Sequence, residues 1–231
     1  MIEEPPKLTI RRPTRRPTPD QIAAFKDVPT GFVVDALSGT GALDLTVKPL
    51  QPEMSPLHVA GPALTAGNGP ADIMATFAAL AFLQPGDVLV TATTGHQGCA
   101  AAGDGFAGMV RNADAFGIVL DGPVRDYDGI VATGLPVWCT GVTPATPFMT
   151  GPGTVGLPVQ VAGQRVETGD MIVADRDGVV VVPFDRIDEV IEQLSAIRAL
   201  EEVQDAEVAA GRVVPERVKE WLAGDLVKFV D

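Results

Sequence analysis

Apolar residues along the chain fall into short runs, punctuated by glycine and proline, whose spacing alternates between strand-like and helix-like periods. Val88–Thr91, Gly117–Leu120 and Pro136–Cys139 read as short buried strands, the first launched from the turn Pro85-Gly86-Asp87. Helical composition marks Ala71–Leu83, residues 104–113 and Tyr127–Thr133 between and around them. Strand and helix in alternation predict parallel βαβ units with both sheet faces covered. Residues 156–183 change character: Val159–Val161, Arg165–Glu167, Met171–Ala174 and Val179–Val182 are β-like runs parted by glycine-containing turns, a compact meander or set of hairpins. A long helix follows from about Phe184 to Ala210, with Ile187, Val190, Ile191, Leu194 and Ile197 on one face, and Pro215–Leu222 forms a last short one. Near the start, Thr18-Pro19-Asp20 opens a helix carrying Ile22, Ala23 and Phe25. A second short helix runs from Thr30 towards Gly39, with Asp35 its one acid.

Charge changes this picture at one end. Residues 1–19 hold five basic residues against Glu3 and Glu4, a balance of +3, so the rest of a chain with net charge −13 carries −16. Five prolines forbid a continuous helix in that arm, which reads as a flexible or partner-wrapping terminus. An acidic body argues against nucleic-acid binding, and no apolar run is long enough to span a bilayer or to form a secretory signal. Cytoplasmic residence with reduced thiols is therefore expected for Cys99 and Cys139. With only His58 and His96 as histidines, a bound metal would be held by oxygen ligands, which favours Mg²⁺ or Mn²⁺.

Candidate chemistry concentrates in two glycine-punctuated segments, Gly103-Asp104-Gly105-Phe106-Ala107-Gly108 and Leu120-Asp121-Gly122-Pro123-Val124-Arg125-Asp126. Both follow predicted strand ends on the edge where open α/β sheets bind ligands, and crossovers of one hand bring them side by side. Arg125 offers a planar fork for a carboxylate. Asp126 is a hard oxygen ligand for a divalent cation, and Asp104 can orient a water. Amides of Gly105 and Phe106, at a helix start, can grip an anionic oxygen. Together they could stabilise an enolate beside a carboxylate. The residues alone leave open a plainer reading, in which Asp-Gly is only a turn and Arg-Asp a solvated ion pair. The glycine spacing is not that of a dinucleotide fingerprint, and the absence of lysine from both segments argues against Schiff-base chemistry there.

From about His58 to Pro183 the sequence resembles the 4-hydroxy-4-methyl-2-oxoglutarate aldolases and the related regulators of ribonuclease E activity. Asp104, twenty residues and Arg125-Asp126 match the Asp-x20-Arg-Asp pattern of the aldolase branch, and Pro85-Gly86-Asp87-Val-Leu-Val, Gly134-Leu-Pro-Val and Gly169-Asp170-Met-Ile-Val agree with it. The resemblance implies an α/β fold, an αββα sandwich of the swivelling-domain-like type with mixed sheets and a long C-terminal helix. On this reading residues 1–19 are an arm, 20–210 one domain and 211–231 a helical tail. It implies a divalent-metal-dependent lyase that cleaves 4-hydroxy-2-oxo acids to pyruvate, with oxaloacetate decarboxylation as a side activity. Asp126 would serve the metal, Arg125 the substrate carboxylate and Asp104 the proton-carrying water, with Gly103, Gly105 and Phe106 lining the substrate site. Sites between subunits of a trimer or a pair of trimers are implied, to which Asp35 and Glu202 (or its neighbour Glu201) would be lent across the interface. Regulators of the family lack the aspartates equivalent to Asp104 and Asp126; a protein-binding regulator is the alternative function, and a quinone methyltransferase label also attaches to relatives. Residues 93–102, and the small Gly105 and Gly108 in place of bulkier apolar residues, set this chain apart around the distal half of a substrate, where His96 is a candidate contact.

Overall fold

A computed structural model describes residues 6–225 and 227–230, so Glu3 and Glu4 of the arm lie outside it. At its centre four parallel strands stand in chain order: β3 (Val59–Asn68), β4 (Val88–Ala92), β5 (Gly117–Leu120) and β6 (Val137–Cys139). The connections between them carry α3 (Met74–Ala79), α4 (Asp104–Asn112) and α5 (Tyr127–Thr133). The helical stretch expected over Ala71–Leu83 is thus shorter, with a single 3₁₀ turn at Leu80–Phe82 before the Pro-Gly-Asp turn. β2 (Lys48–Pro49) closes one edge against β6. At the other edge β7 (Gly153–Val155) pairs antiparallel with the end of β3 and parallel with β1 (Leu8–Ile10).

The strand β3 serves two sheets. Val59–Pro62 pairs antiparallel with β10 (Met171–Ala174), which pairs with β11 (Val179–Val182), and from Ala63 onwards the same strand joins β4. Gly61 lies where β3 passes the Pro-Gly-Asp turn, and a Cβ there would fall 2.3 Å from the Gly86 carbonyl oxygen. The expected β-set over 156–183 is therefore two separate hairpins. β8 (Val159–Val161) pairs only with β9 (Gln164–Val166), whereas β10–β11 extends β3.

Side-chain alternation then stacks four layers. On one face Leu64, Leu89, Ile118, Leu120 and Val137 pack against Ala75, Ala79, Phe106, Val110 and Ile130 of α3–α5. Their neighbours Ala63, Val88, Val90, Val119 and Trp138 face Val161, Val166, Ile172, Ala174, Val179 and Val181. On the far side Met171, Val173, Val180 and Val182 are covered by Phe25, Val33, Leu37, Ile187, Val190 and Leu194. These last come from α1 (Pro19–Ala24) and its C-terminal end, α2 (Thr30–Ala36) and its C-terminal end, and the 23-residue α6 (Ile187–Ala209). The order is helix, sheet, sheet, helix, as the resemblance implied. α1 begins with the expected cap: Gln21 N donates to Thr18 Oγ1 at 3.2 Å, and Thr18 N donates to the Gln21 side chain at 2.9 Å. α7 (Glu216–Ala223) buries none of its residues. No helix of the described residues is long and apolar enough to cross a membrane.

From Lys7 onwards the arm is laid on the body. Besides the β1–β7 pairing, Arg11 N donates to the Val155 carbonyl at 2.8 Å. Arg15 pairs with Glu167 and Asp170 and stacks over the Phe184 ring at 4.7 Å, while Arg16 pairs with Asp87. The arm is thus held against the body rather than free, and two of its five basic residues, Arg15 and Arg16, answer the buried Asp170 and Asp87 of the same chain, which a reading of that segment alone could not foresee.

Candidate active site

The C-terminal ends of β4 and β5 release the two glycine-punctuated segments onto the same edge. Ala101 N donates to the Pro123 carbonyl at 2.7 Å and Arg125 N to the Ala102 carbonyl at 3.0 Å, so the segments run side by side as a one-rung parallel bridge. The loop before them is pinned by the buried Asp121, whose carboxylate accepts from Thr93 N at 2.6 Å and Thr93 Oγ1 at 2.8 Å. Gln97 adds a 2.7 Å bond to the Asp121 carbonyl.

This bridge sets three charged side chains around one small cavity of about 200 Å³, lined by Gly103, Asp104, Gly105, Phe106, Arg125 and Asp126. Its apolar wall is Ile73, Phe77, Met109 and Pro147, and the Phe77 and Phe106 rings meet with centroids 4.9 Å apart. Arg125 Nε lies 3.3 Å from Asp126 Oδ2, and both side chains remain about two-fifths exposed. Arg125 Nη1 donates to Thr146 Oγ1 at 3.2 Å, which turns the fork toward the loop that carries Pro147. Asp126 stands at the start of α5 with φ +60°, the left-handed region that few non-glycine residues adopt. That conformation is a local cost tolerated at a place where direction of the side chain matters.

Asp104 is the first residue of α4, and its Oδ1 accepts from Gly105 N at 2.6 Å. The Gly105 amide is therefore engaged by its own neighbour in this chain. Two glycines make room for the carboxylates. A Cβ on Gly103 would fall 2.7 Å from Asp126 Oδ2, and one on Gly129 would fall 2.6 Å from both Asp104 Cβ and Oδ2. Gly129, Thr146 and the apolar wall were not found by sequence reasoning, because nothing in their local pattern marks them; only the fold brings them to the edge. Asp35 in α2 and Glu202 in α6 are exposed on the outer helix layer and do not line this cavity. Glu201 lies beside Glu202 on α6, and His96 is also outside the cavity.

The family model described as RraA-like, Aldolase/RraA, matches residues 30–181. The chain belongs to the RraA-like family. Within it, a protein of Halalkalibacterium halodurans, provisionally named a 4-hydroxy-4-methyl-2-oxoglutarate aldolase, is 34% identical over 82% of this chain and 89% of its own. Among solved structures, RraAS2 of Streptomyces coelicolor is described as an unusual member of the RNase ES inhibitor RraA protein family. It shares 28% identity with a TM-score of 0.74, over 83% of this chain and all of that one. A Geobacillus kaustophilus structure described as an S-adenosylmethionine:2-dimethylmenaquinone methyltransferase shares 27% identity with a TM-score of 0.61, over 68% of this chain and 95% of that one. Names across RraA-like proteins thus span three kinds of function, so the side chains at this chain's own cavity must discriminate between them.

Proposed function

We propose that this RraA-like protein is a divalent-metal-dependent lyase that cleaves small 4-hydroxy-2-oxo acids to pyruvate and also decarboxylates oxaloacetate. The observation that carries the reading is the convergence of Arg125, Asp126 and Asp104 on one cavity at the ends of two parallel strands. A cavity built only for protein contact would have no need of two carboxylates and a guanidinium around a space fit for a small acid.

The donor set fits a hard cation such as Mg²⁺ or Mn²⁺ that keeps most of its ligands as water. Asp126 presents a partly exposed carboxylate oxygen, and the missing side chain of Gly103 leaves open the space beside it. Among the described residues no three of His, Cys, Asp or Glu cluster as a metal cage would require, in keeping with a cation bound through one or two carboxylates. Held by Asp126, such a cation would supply positive charge beside the substrate's 2-oxo group.

The protein's own groups account for the remaining steps. Arg125 binds the substrate carboxylate through its planar fork and lends a donor to the neighbouring keto oxygen. Asp104 orients the water that takes the proton from the C4 hydroxyl. The C3–C4 bond then breaks, C4 leaves as a carbonyl, and the electron pair moves through C3 onto the C2 oxygen. Arg125 stabilises that enolate charge. A proton returned to C3 completes pyruvate. Loss of CO₂ from oxaloacetate leaves the same enolate and needs the same contacts. Asp35 and Glu202 enter this proposal as acids lent by neighbouring copies in a trimer or a pair of trimers, in keeping with their exposure and their absence from the lining of the cavity in their own chain.

A panel of 4-hydroxy-2-oxo acids and oxaloacetate, with pyruvate detected by a coupled dehydrogenase, tests the reading. Turnover should require Mg²⁺ or Mn²⁺, stop with EDTA, and fall by about 100-fold or more in Asp126→Ala. Unchanged turnover by that variant removes the metal role. Silence across the panel, with tight binding to an RNA-degrading enzyme, would move the protein to the regulator class.

A further inference from the structure

A second cavity, of about 800 Å³, opens at the opposite end of the parallel strands, between the arm, α1, the start of β3 and the residues that follow α4. Its size falls in the range of small-molecule pockets. The floor and walls are apolar: Pro17, Ile22, Val59, Ala115 and Phe116 line it. Phe116 is a large aromatic left 47% exposed, and Gly86 lies against its ring, with a Cβ there falling 3.5 Å from the ring edge. Around this apolar basin stand Arg16, Lys26, His58 and Arg111.

Their charge is out of keeping with the molecule. The chain carries −13 overall, yet the lining holds three permanent cations against one carboxylate, Asp27. Arg16 is paired with Asp87 and donates to the Pro85 carbonyl at 2.8 Å. His58 Nε2 lies 2.9 Å from the Val28 carbonyl and so donates inward. Lys26 and Arg111 have no carboxylate within ion-pair distance among the described residues. Arg111 also complements the C-terminal end of the α4 dipole, but that role does not require an aromatic ring and a second cation lining the same cavity.

We propose that this cavity is a binding site for a small organic anion with an apolar body, its rings or chain seated on Phe116 and its carboxylate or sulfonate held between Lys26 and Arg111. The site is separate from the candidate active site and does not depend on the lyase reading. Charge-assisted bonds supply orientation here, and the apolar floor supplies contact area for the ligand's body.

The full chain can be titrated with 1-anilinonaphthalene-8-sulfonate and, in parallel, with N-phenyl-1-naphthylamine, which has the same rings and no charge. One saturable site per chain is expected for the anion. Arg111→Glu and Lys26→Glu, both at exposed positions, should each weaken the anion by about tenfold or more, while the neutral compound stays within about twofold. Phe116→Ser should weaken both. The proposal is overturned by an absence of saturable anion binding, by an anion affinity that neither charge reversal alters, or by equal losses for the neutral compound.

Discussion

Gly129 holds a position in which a single methyl group has a calculable effect. Alanine there would put its Cβ 2.6 Å from the Asp104 carboxylate, so the acid must move or α5 must give way. Gly108, half-buried on α4, has no atom within 4 Å of an added Cβ. Gly129→Ala should therefore lower pyruvate-forming activity by about 10- to 100-fold and destabilise by about 1–3 kcal/mol. Gly108→Ala should leave activity unchanged and raise stability by as much as about 1 kcal/mol. Steady-state rates and thermal midpoints for the pair check this; equal activity in both would show that Asp104 needs no exact placement. At this scale the charged residues were legible and their supports were not. Asp104, Arg125 and Asp126 announce themselves by chemistry and spacing. Gly103 came with them as a lining residue, whereas Gly129 and Thr146 act through what they leave empty or touch across loops, and no sequence period encodes that.

Two turns of like sequence show how elements are tied together. In Pro85-Gly86-Asp87, Asp87 Oδ2 accepts from Gln84 N at 2.9 Å; in Thr168-Gly169-Asp170, Asp170 Oδ2 accepts from Glu167 N at 2.8 Å. Each acid is buried, each begins a strand beside β3, and consecutive arm residues reach them: Arg16 to Asp87, Arg15 to Asp170. Burial pushes both carboxyls above the usual aspartate range, against the opposing pull of these bonds. A raised folded-state value means the folded chain binds protons more tightly than the unfolded one. Each acid's contribution to stability is thus full below its ordinary value near 3.8 and is lost as pH rises through the folded value. Removing the guanidinium leaves Asp87 charged and poorly matched at neutral pH. Arg16→Ala should cost about 1–3 kcal/mol at pH 7, and denaturant titrations should show the deficit shrinking towards acid pH, where Asp87 is neutral. A deficit independent of pH would assign the loss to packing. The echo of the two turns was visible in the sequence, but their arginine partners lie at least 71 residues away and were not. β3 escaped for a different reason: Val59–Asn68 is buried on both faces, holds Gly61 and Pro62, and therefore lacks the alternation that marks a half-covered strand.

Across the whole molecule, most runs from β4 to α6 were readable because short continuous apolar stretches bounded by glycine or proline turns mark the buried strands, whereas β7 was not, and the four-layer order followed from resemblance more than from any local pattern. Assembly was not readable, since nothing in one chain's periodicity names a partner. The outer half of α6 nevertheless leaves Leu200 at 71%, Val203 at 60% and Val208 at 58% exposure, on the element that carries Glu202. If copies lend Glu202 to one another's sites as proposed, sedimentation should give three or six times 24.1 kDa. Leu200→Glu with Val203→Glu should then yield monomers that have lost activity while keeping their fold. Fully active monomers would confine the chemistry to one chain.

The double allegiance of β3 has a mechanical meaning. Its first residues zip to the antiparallel ribbon and its later ones to the parallel array, so parting the two sheets means stripping β3 of one of its hydrogen-bonded ladders. Two sheets tied through one strand are expected to melt together, in a single transition followed by heat or denaturant.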